Sequence, residues 1–382
     1  MSDVKQKNSR IFRMTRAAAC FFVLGIFLTV GLWIISKDSA FLFQFGTTPA
    51  EAEANINQII PLRELALLPS RTCDKLLKKR YFPEDNLYLR EDGQILVGSS
   101  PQDPDFALQN IEKLSKVCTE SGKHFLYVIL PGKPQDDNDL EMLGIPCARN
   151  RTADEMKSGL LERGIPCLDL REEFAGSDFY DYFYKTDHHW NAEAGLKAAY
   201  KLLDFINREF SGSFDLSVLE RDRFHKLDTS VQWTGELGKR ALGKLAGEDE
   251  LLVLEPERSP VFRYRNLDYK VDCTGGFDVF LNENVLDGYS EEDGNAYYAY
   301  MYGNGMMETD NPEGNGNLLI IKDSFSNVML PFRALSAGHI TAWEMRTDSR
   351  VIEYINGHPE IDTVLVAYNI SFVPTKRVND FQ

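Results

Sequence analysis

Short runs of uninterrupted apolar residues constrain this chain more than any other feature. Phe125-Leu126-Tyr127-Val128-Ile129-Leu130 stops at Pro131-Gly132, and Leu318-Leu319-Ile320-Ile321 stops at Lys322-Asp323-Ser324. Thr363-Val364-Leu365-Val366-Ala367-Tyr368 is a third such run. A strand that is apolar at every position has no face for water, so it belongs inside a parallel sheet covered by helices on both sides. The segments between the runs have helical spacing. Residues 105–121 repeat Phe106, Leu108, Ile111, Leu114 and Val117; residues 152–163 follow suit. Asn191 is placed to cap a helix through about Phe210, with Leu196, Ala199, Tyr200, Leu203 and Ile206 on one face. A helix-like segment runs from Ser324 to about Leu335, and another spans 348–357. Pro166–Leu170 and Ile340–Met345 read as further strands, and Tyr88–Gly98 as a hairpin around Asp92-Gly93. The expectation is an α/β fold built of right-handed βαβ units around a mostly parallel sheet.

Residues 211–316 break the alternation. They are rich in Gly, Asn, Asp and Tyr, and read as an inserted, partly β substructure beside the active site. Within it, Tyr297-Tyr298-Ala299-Tyr300-Met301-Tyr302 either packs as a hairpin, the favoured reading, or lines a sugar cleft. At the other end, residues 17–36 contain no charge, and twenty helical residues rise about 30 Å, the thickness of a bilayer core. Lys5, Lys7, Arg10, Arg13 and Arg16 precede this run, whereas Lys37 and Asp38 cancel after it. The positive flank puts residues 1–16 in the cytoplasm, 17–36 across the membrane, 37–75 in a juxtamembrane linker and 76–382 outside. A cleavable signal peptide is the competing reading, but its apolar core would be shorter and Asp38-Ser39-Ala40 makes a poor cleavage site. The formal charge of −16 argues against nucleic acid as a partner. The cysteines form no CxxC pair that suggests zinc. Gly-Ile-Pro-Cys occurs twice, ending at Cys147 and Cys167, which leaves a disulfide or two small buried hydrophobes as the readings.

The chemistry-bearing residues fall in two blocks. Thr186-Asp187-His188-His189-Trp190 sets a carboxylate two residues from an imidazole. In an extended segment both point the same way, so Asp187 can orient one ring nitrogen and leave the other to take a proton. Lys322-Asp323-Ser324-Phe325-Ser326 puts a serine just past an apolar strand, at the sheet edge where α/β proteins bind ligands. Nucleophile, base and orienting acid are the parts of an acyl-transferring serine enzyme. The plainer reading is that Ser324 or Asp323 caps the following helix. Adjacent histidines project apart, so His188 and His189 make a poor metal pair, and no cofactor or metal is expected.

Asp187-His188-His189-Trp190 resembles the signature of the bacterial DHHW proteins. These are similar to the SGNH-hydrolase-like proteins of alginate O-acetylation, which carry an Asp-x-His-Trp segment upstream and a Gly-Asp/Thr-Ser-Phe/Tyr segment downstream. The resemblance spans roughly residues 80–375, and includes Asp92-Gly93, Pro131-Gly132-Lys133 and Trp233-Thr234-Gly235-Glu236-Leu237-Gly238. It implies a doubly wound SGNH-hydrolase-like fold in which Asp and His precede Ser, with Ser324 as nucleophile, His189 as base and Asp187 as orienting acid. It implies transfer of acetyl groups to an exported polysaccharide, with a membrane-bound acyltransferase as donor partner. Lys322 stands where the alginate relatives have Gly, which bears on the oxyanion geometry. Gly235 is the candidate second oxyanion donor, and Lys322 and Trp190 are candidate supports. The reading from a different class is a non-catalytic protein that binds glycan or assembles an envelope complex on the same fold.

Overall fold

The computed structural model describes residues 63–289, 295–300, 305–344 and 350–381. The cytoplasmic tail and membrane span expected over 1–36 lie outside these residues, as does most of the expected linker. Among the described residues no helix is long and apolar enough to cross a membrane. The chain divides into two compact units, Met1–Pro69 and Ser70–Gln382, and the fold below is that of the second.

Eight strands form the central sheet. In chain order they are β1 (His124–Leu130), β2 (Cys167–Asp169), β3 (Phe262–Asn266), β4 (Val271–Gly275), β5 (Met306–Asp310), β6 (Asn315–Lys322), β7 (Ala337–Glu344) and β8 (Thr363–Asn369). Their spatial order is β4-β3-β5-β7-β6-β8-β1-β2. The five strands from β7 to β2 are parallel, and β5, β3 and β4 continue the sheet antiparallel. The three apolar runs are therefore neighbours at its centre, β6-β8-β1.

Their alternate residues feed two separate cores. Leu126, Val128, Leu130, Leu318, Ile320, Leu365 and Ala367 face one, with α3 (Ala192–Glu209) and α4 (Ser326–Ala334). Phe125, Tyr127, Ile129, Leu319, Ile321, Val364 and Val366 face the other, with α1 (Asp105–Glu120), α2 (Arg149–Glu162) and α5 (Val351–Gly357). Burial on both faces explains why these strands show no polar alternation. Asn191 caps α3 by accepting the Ala194 amide at 3.2 Å. Gly195 then lets α3 approach α4 closely: a Cβ there would meet Val328 Cγ1 and its carbonyl oxygen at 2.9 Å.

Residues 211–316 do not stand apart as a substructure. β3, β4 and β5 come from this region and extend the sheet itself. The alternation of Phe262-Arg263-Tyr264-Arg265 suits that place: Phe262 and Tyr264 are buried, while Arg263 is exposed and pairs with Asp272 across the strands. Small two-stranded ribbons, Phe224–Leu227 with Val253–Pro256 and Gln232–Trp233 with Asp249–Glu250, make up part of the rest. The tyrosine run is not a hairpin over the residues described; Ala296–Ala299 is one short 3-10 turn. Cys147 and Cys167 are free thiols rather than a disulfide.

Candidate active site

β6 delivers Ser324 to the carboxyl edge of the sheet. Asp323 shapes the turn. Its Oδ1 accepts the Phe325 amide at 2.9 Å and its Oδ2 accepts the Asn369 amide, at the end of β8, at 2.6 Å. Asp323 thus fixes the turn itself rather than capping α4, whose N-cap residue is Phe325 and has no side-chain cap. The Ser324 hydroxyl is left for a different partner, His189 Nε2 at 2.8 Å.

The other half of the site comes from the loop before α3. His189 Nδ1 lies 2.6 Å from Asp187 Oδ1, which also accepts the His189 amide at 3.0 Å. The two-residue spacing closes a tight turn in which one carboxylate oxygen meets both nitrogens. Asp187 Oδ2 accepts the Glu236 amide at 2.9 Å and Asn295 Nδ2 at 3.1 Å. Burial by itself would raise this carboxyl. The neighbouring His188 and His189 and the donated hydrogen bonds outweigh burial and hold it well below the usual carboxylate range. An ionised Asp187 keeps the proton on Nδ1, so Nε2 is free to accept from Ser324.

The loop is fixed from beneath. Asp249 Oδ2 accepts the amide and hydroxyl of Thr186 at 2.8 and 2.6 Å, and its Oδ1 accepts the Lys185 amide at 2.7 Å. Trp190 is fully buried and donates Nε1–H to the Phe325 carbonyl at 2.8 Å, tying this loop to the turn after Ser324. Lys133, from Pro131-Gly132-Lys133, donates to Gln94 Oε1 and to the carbonyls of Tyr184 and Lys185 at 3.0, 2.8 and 3.2 Å. It joins the Asp92-Gly93 hairpin to the same loop. Burial pushes its amine down to about 7, against the pull of Asp249 and Asp187.

The remaining candidates lie elsewhere than expected. Gly235 sits behind Asp187, and its amide donates to Thr186 Oγ1 at 2.7 Å, so that N–H is committed rather than offered to an oxyanion. Only Gly fits there, since a Cβ would stand 2.4 Å from Asp187 Cβ. Lys322 does not project into the site. Its ammonium is buried on Asn327 Oδ1 at 2.7 Å and Glu344 Oε2 at 3.3 Å, linking the nucleophile turn to β7. His188 is about a third exposed, and its Nδ1 is 3.6 Å from both Asp187 and Glu236. Asp187, His188 and His189 set donor atoms within 4.8 Å of one another. Both ring nitrogens of His189 are already hydrogen-bonded, so the set suits a proton relay better than an ion. Asp249, Asn295 and Tyr297 escaped the sequence reading as parts of this site. They act from the irregular region, where spacing carries no signal of contact.

Residues 85–238 match the family model described as the SGNH hydrolase-like domain of acetyltransferase AlgX. Over that stretch the chain is similar to an SGNH hydrolase-like domain. The matched stretch holds Asp187 and His189 but ends before Ser324. Among solved structures, Bacillus cereus PatB1 with a sulfonyl adduct is similar at a TM-score of 0.61 and 17% identity, covering 79% of this chain and 100% of its own. A DHHW family protein from Eubacterium siraeum is similar at a TM-score of 0.57 and 13% identity, covering 77% of this chain and 93% of its own. These two likenesses are of fold. Comparison with curated proteins gives no match.

Proposed function

We propose that the SGNH-like domain is a serine-dependent O-acyltransferase or acetylesterase acting on an exported or cell-surface polysaccharide. The observation that carries this reading is the unbroken relay Asp187 Oδ1–His189 Nδ1 at 2.6 Å and His189 Nε2–Ser324 Oγ at 2.8 Å. Ser324 Oγ attacks the acetyl carbonyl while its proton passes to His189 Nε2. The donor's C–O bond breaks, and the leaving oxygen takes that proton. A sugar hydroxyl then attacks the acetyl-serine, gives its proton to His189, and Ser324 leaves with it. Water in place of the sugar yields acetate and an esterase. α4 begins two residues after Ser324, which brings the positive end of its dipole near the nucleophile.

The acetyl group rests on the family model described as acetyltransferase AlgX, and the polysaccharide on the resemblance of Asp187-His188-His189-Trp190 to the alginate O-acetylation proteins. A membrane-bound acyltransferase as donor partner is part of this proposal by analogy with the alginate O-acetylation proteins, and the charge pattern around residues 17–36 supports anchorage with the domain outside the cytoplasm. One observation favours a non-catalytic glycan-binding or envelope-assembly role instead. Ser324 is only 3% exposed, and a cavity of about 670 Å³ lies apart from it, lined by Pro131, Gly132, Asp136, Asn150, Arg171 and Phe179 among others. Full-length protein treated with an arylsulfonyl fluoride decides between the two. The catalytic reading expects one adduct, on Ser324, that is lost in Ser324→Ala and His189→Ala, together with Ser324-dependent acetate release from an aryl acetate. An unlabelled Ser324 and no acetate release would favour binding.

A further inference from the structure

The inserted region returns one short segment to the end of the sheet. Asn295 Oδ1 accepts the Tyr297 amide at 2.9 Å, while its Nδ2 donates to Asp187 Oδ2 at 3.1 Å. Both ends of the Asn295 amide therefore have a partner of the right kind, an N–H for the oxygen and a carboxylate for the nitrogen. Two residues on, the Tyr297 ring lies flat on the His189 imidazole, with centroids 3.8 Å apart and planes 10° apart. The Tyr297 hydroxyl donates to the Ser324 carbonyl at 2.8 Å, with the Phe325 carbonyl next at 3.1 Å. Burial raises the Tyr297 phenol well above its ordinary value, so it keeps the proton it donates. The segment is held at its far end as well: the Asn282 amide donates to the Ala299 carbonyl at 2.8 Å, and the Leu254 amide to the Tyr300 hydroxyl at 2.7 Å.

We infer that Asn295 and Tyr297 are positioning residues for the relay, Asn295 fixing the orienting carboxylate and Tyr297 fixing the ring plane of the base together with the backbone of the nucleophile. The inference rests on the catalytic reading of Ser324 and adds the residues that hold its base. His189 must present Nδ1 to Asp187 and Nε2 to Ser324 at the same moment. Hydrogen bonds fix the two nitrogens, but they leave the ring free to tilt about the line joining them. The His188 ring also lies 3.8 Å away but is tilted by 36°, so the flat Tyr297 ring is the one that fixes the plane. The same contact favours the charged ring formed when Ser324 gives up its proton, because an aromatic face is electron-rich. One side chain thus couples base and nucleophile without touching the acyl group.

The test uses the full-length chain, an aryl acetate, and three variants: Tyr297→Phe, Tyr297→Leu and Asn295→Ala. Steady-state kinetics is joined by proton NMR of the downfield resonance expected for the 2.6 Å Asp187–His189 hydrogen bond. Tyr297→Leu should lower kcat roughly 10- to 100-fold with KM within about 3-fold, the size of loss that follows misplacement of a reacting group. It should also broaden or abolish the downfield signal. Tyr297→Phe keeps the stack, so it should stay within about 5-fold and retain the signal. Asn295→Ala should fall between them. Wild-type kcat and signal in Tyr297→Leu would overturn the inference, as would a Tyr297→Phe variant as damaged as Tyr297→Leu. If Tyr297→Leu does not fold, unchanged kcat and signal in Asn295→Ala overturn it, and a loss of both with the fold intact supports it. A wild-type chain inactive on the ester would defeat the catalytic reading instead, and the resonance would still decide whether Tyr297 holds the ring.

Discussion

At the scale of single residues, each oxygen of Asp187 has its own task. Oδ1 orients the base, and Oδ2 is fixed by the Glu236 amide and Asn295. The proton relay and the fold therefore depend on the same carboxylate, and its titration links them. Its folded pKa lies below the unfolded value of about 3.9, so its stabilisation is present above that pH and is lost as pH falls toward the folded value. Asp187→Asn should cost about 1–3 kcal/mol at pH 7. The gap from wild type should narrow below about pH 3.9; urea denaturation at pH 7 and pH 3 measures it. A gap that grows below pH 3.9 would contradict the ionised assignment. Gly235→Ala is the steric counterpart. A methyl group 2.4 Å from Asp187 Cβ forces the carboxylate to move, so turnover should fall roughly 100-fold with the protein still folded. Full activity in that variant would show that Asp187 tolerates displacement.

The two histidines separate cleanly by partner. His189 bridges carboxylate and serine, whereas His188 approaches Asp187 and Glu236 at 3.6 Å and packs its tilted ring 3.8 Å from that of His189. His189→Ala should lose activity by about 10³-fold or more, as expected when one member of an interdependent relay is removed. His188→Ala should lose far less. The reverse order, read by acetate release, would reassign the base.

At the scale of elements, the site depends on two junctions: α3 against α4, and the loop before α3 against the turn after β6. Gly195 permits the first. Gly195→Ala gains helix propensity of about 1 kcal/mol but drives a methyl into Val328 at 2.9 Å, where backbone and side chain both block it. Net destabilisation of about 1–3 kcal/mol is expected, read as a lower urea midpoint. A raised midpoint would mean the helices have room to part. Trp190 serves the second junction through the Phe325 carbonyl, and Lys322 braces the turn against β7 through Asn327 and Glu344. These contacts show why parts of the molecule could be read in advance and others could not. The β1, β6 and β8 strands were legible because burial on both faces demands unbroken apolar runs. Asp187, His189 and Ser324 were legible through the resemblance of Asp187-His188-His189-Trp190 to a family signature, since a serine after a strand is by itself more often a cap. Gly235, Lys322, Asn295 and Tyr297 were not legible in their true places. Their positions follow from a loop crossing or a buried ion pair, and neither leaves a period in the sequence. The antiparallel extension by β3, β4 and β5 was hidden for a related reason, since short alternating strands suit an outlying ribbon as well as a sheet edge.

At the scale of the whole molecule, the parallel half of the sheet supplies the nucleophile and the irregular half supplies part of its support. The first unit of the chain bears on where this chemistry would occur. Five basic residues before the uncharged stretch 17–36 place the domain outside the cytoplasm in our proposal. Protease added to intact cells should then degrade residues beyond about 37, and protection until lysis would reject that orientation. The claim on which the account turns is that Ser324 carries the acyl group. The direct measurement is peptide mapping by mass spectrometry of full-length protein quenched in acid while turning over an aryl acetate. The account predicts one acetyl group on the peptide containing Ser324, absent in Ser324→Ala and absent when His189 is replaced. Acetyl release with no acetyl group on Ser324, or full release by Ser324→Ala, would contradict it.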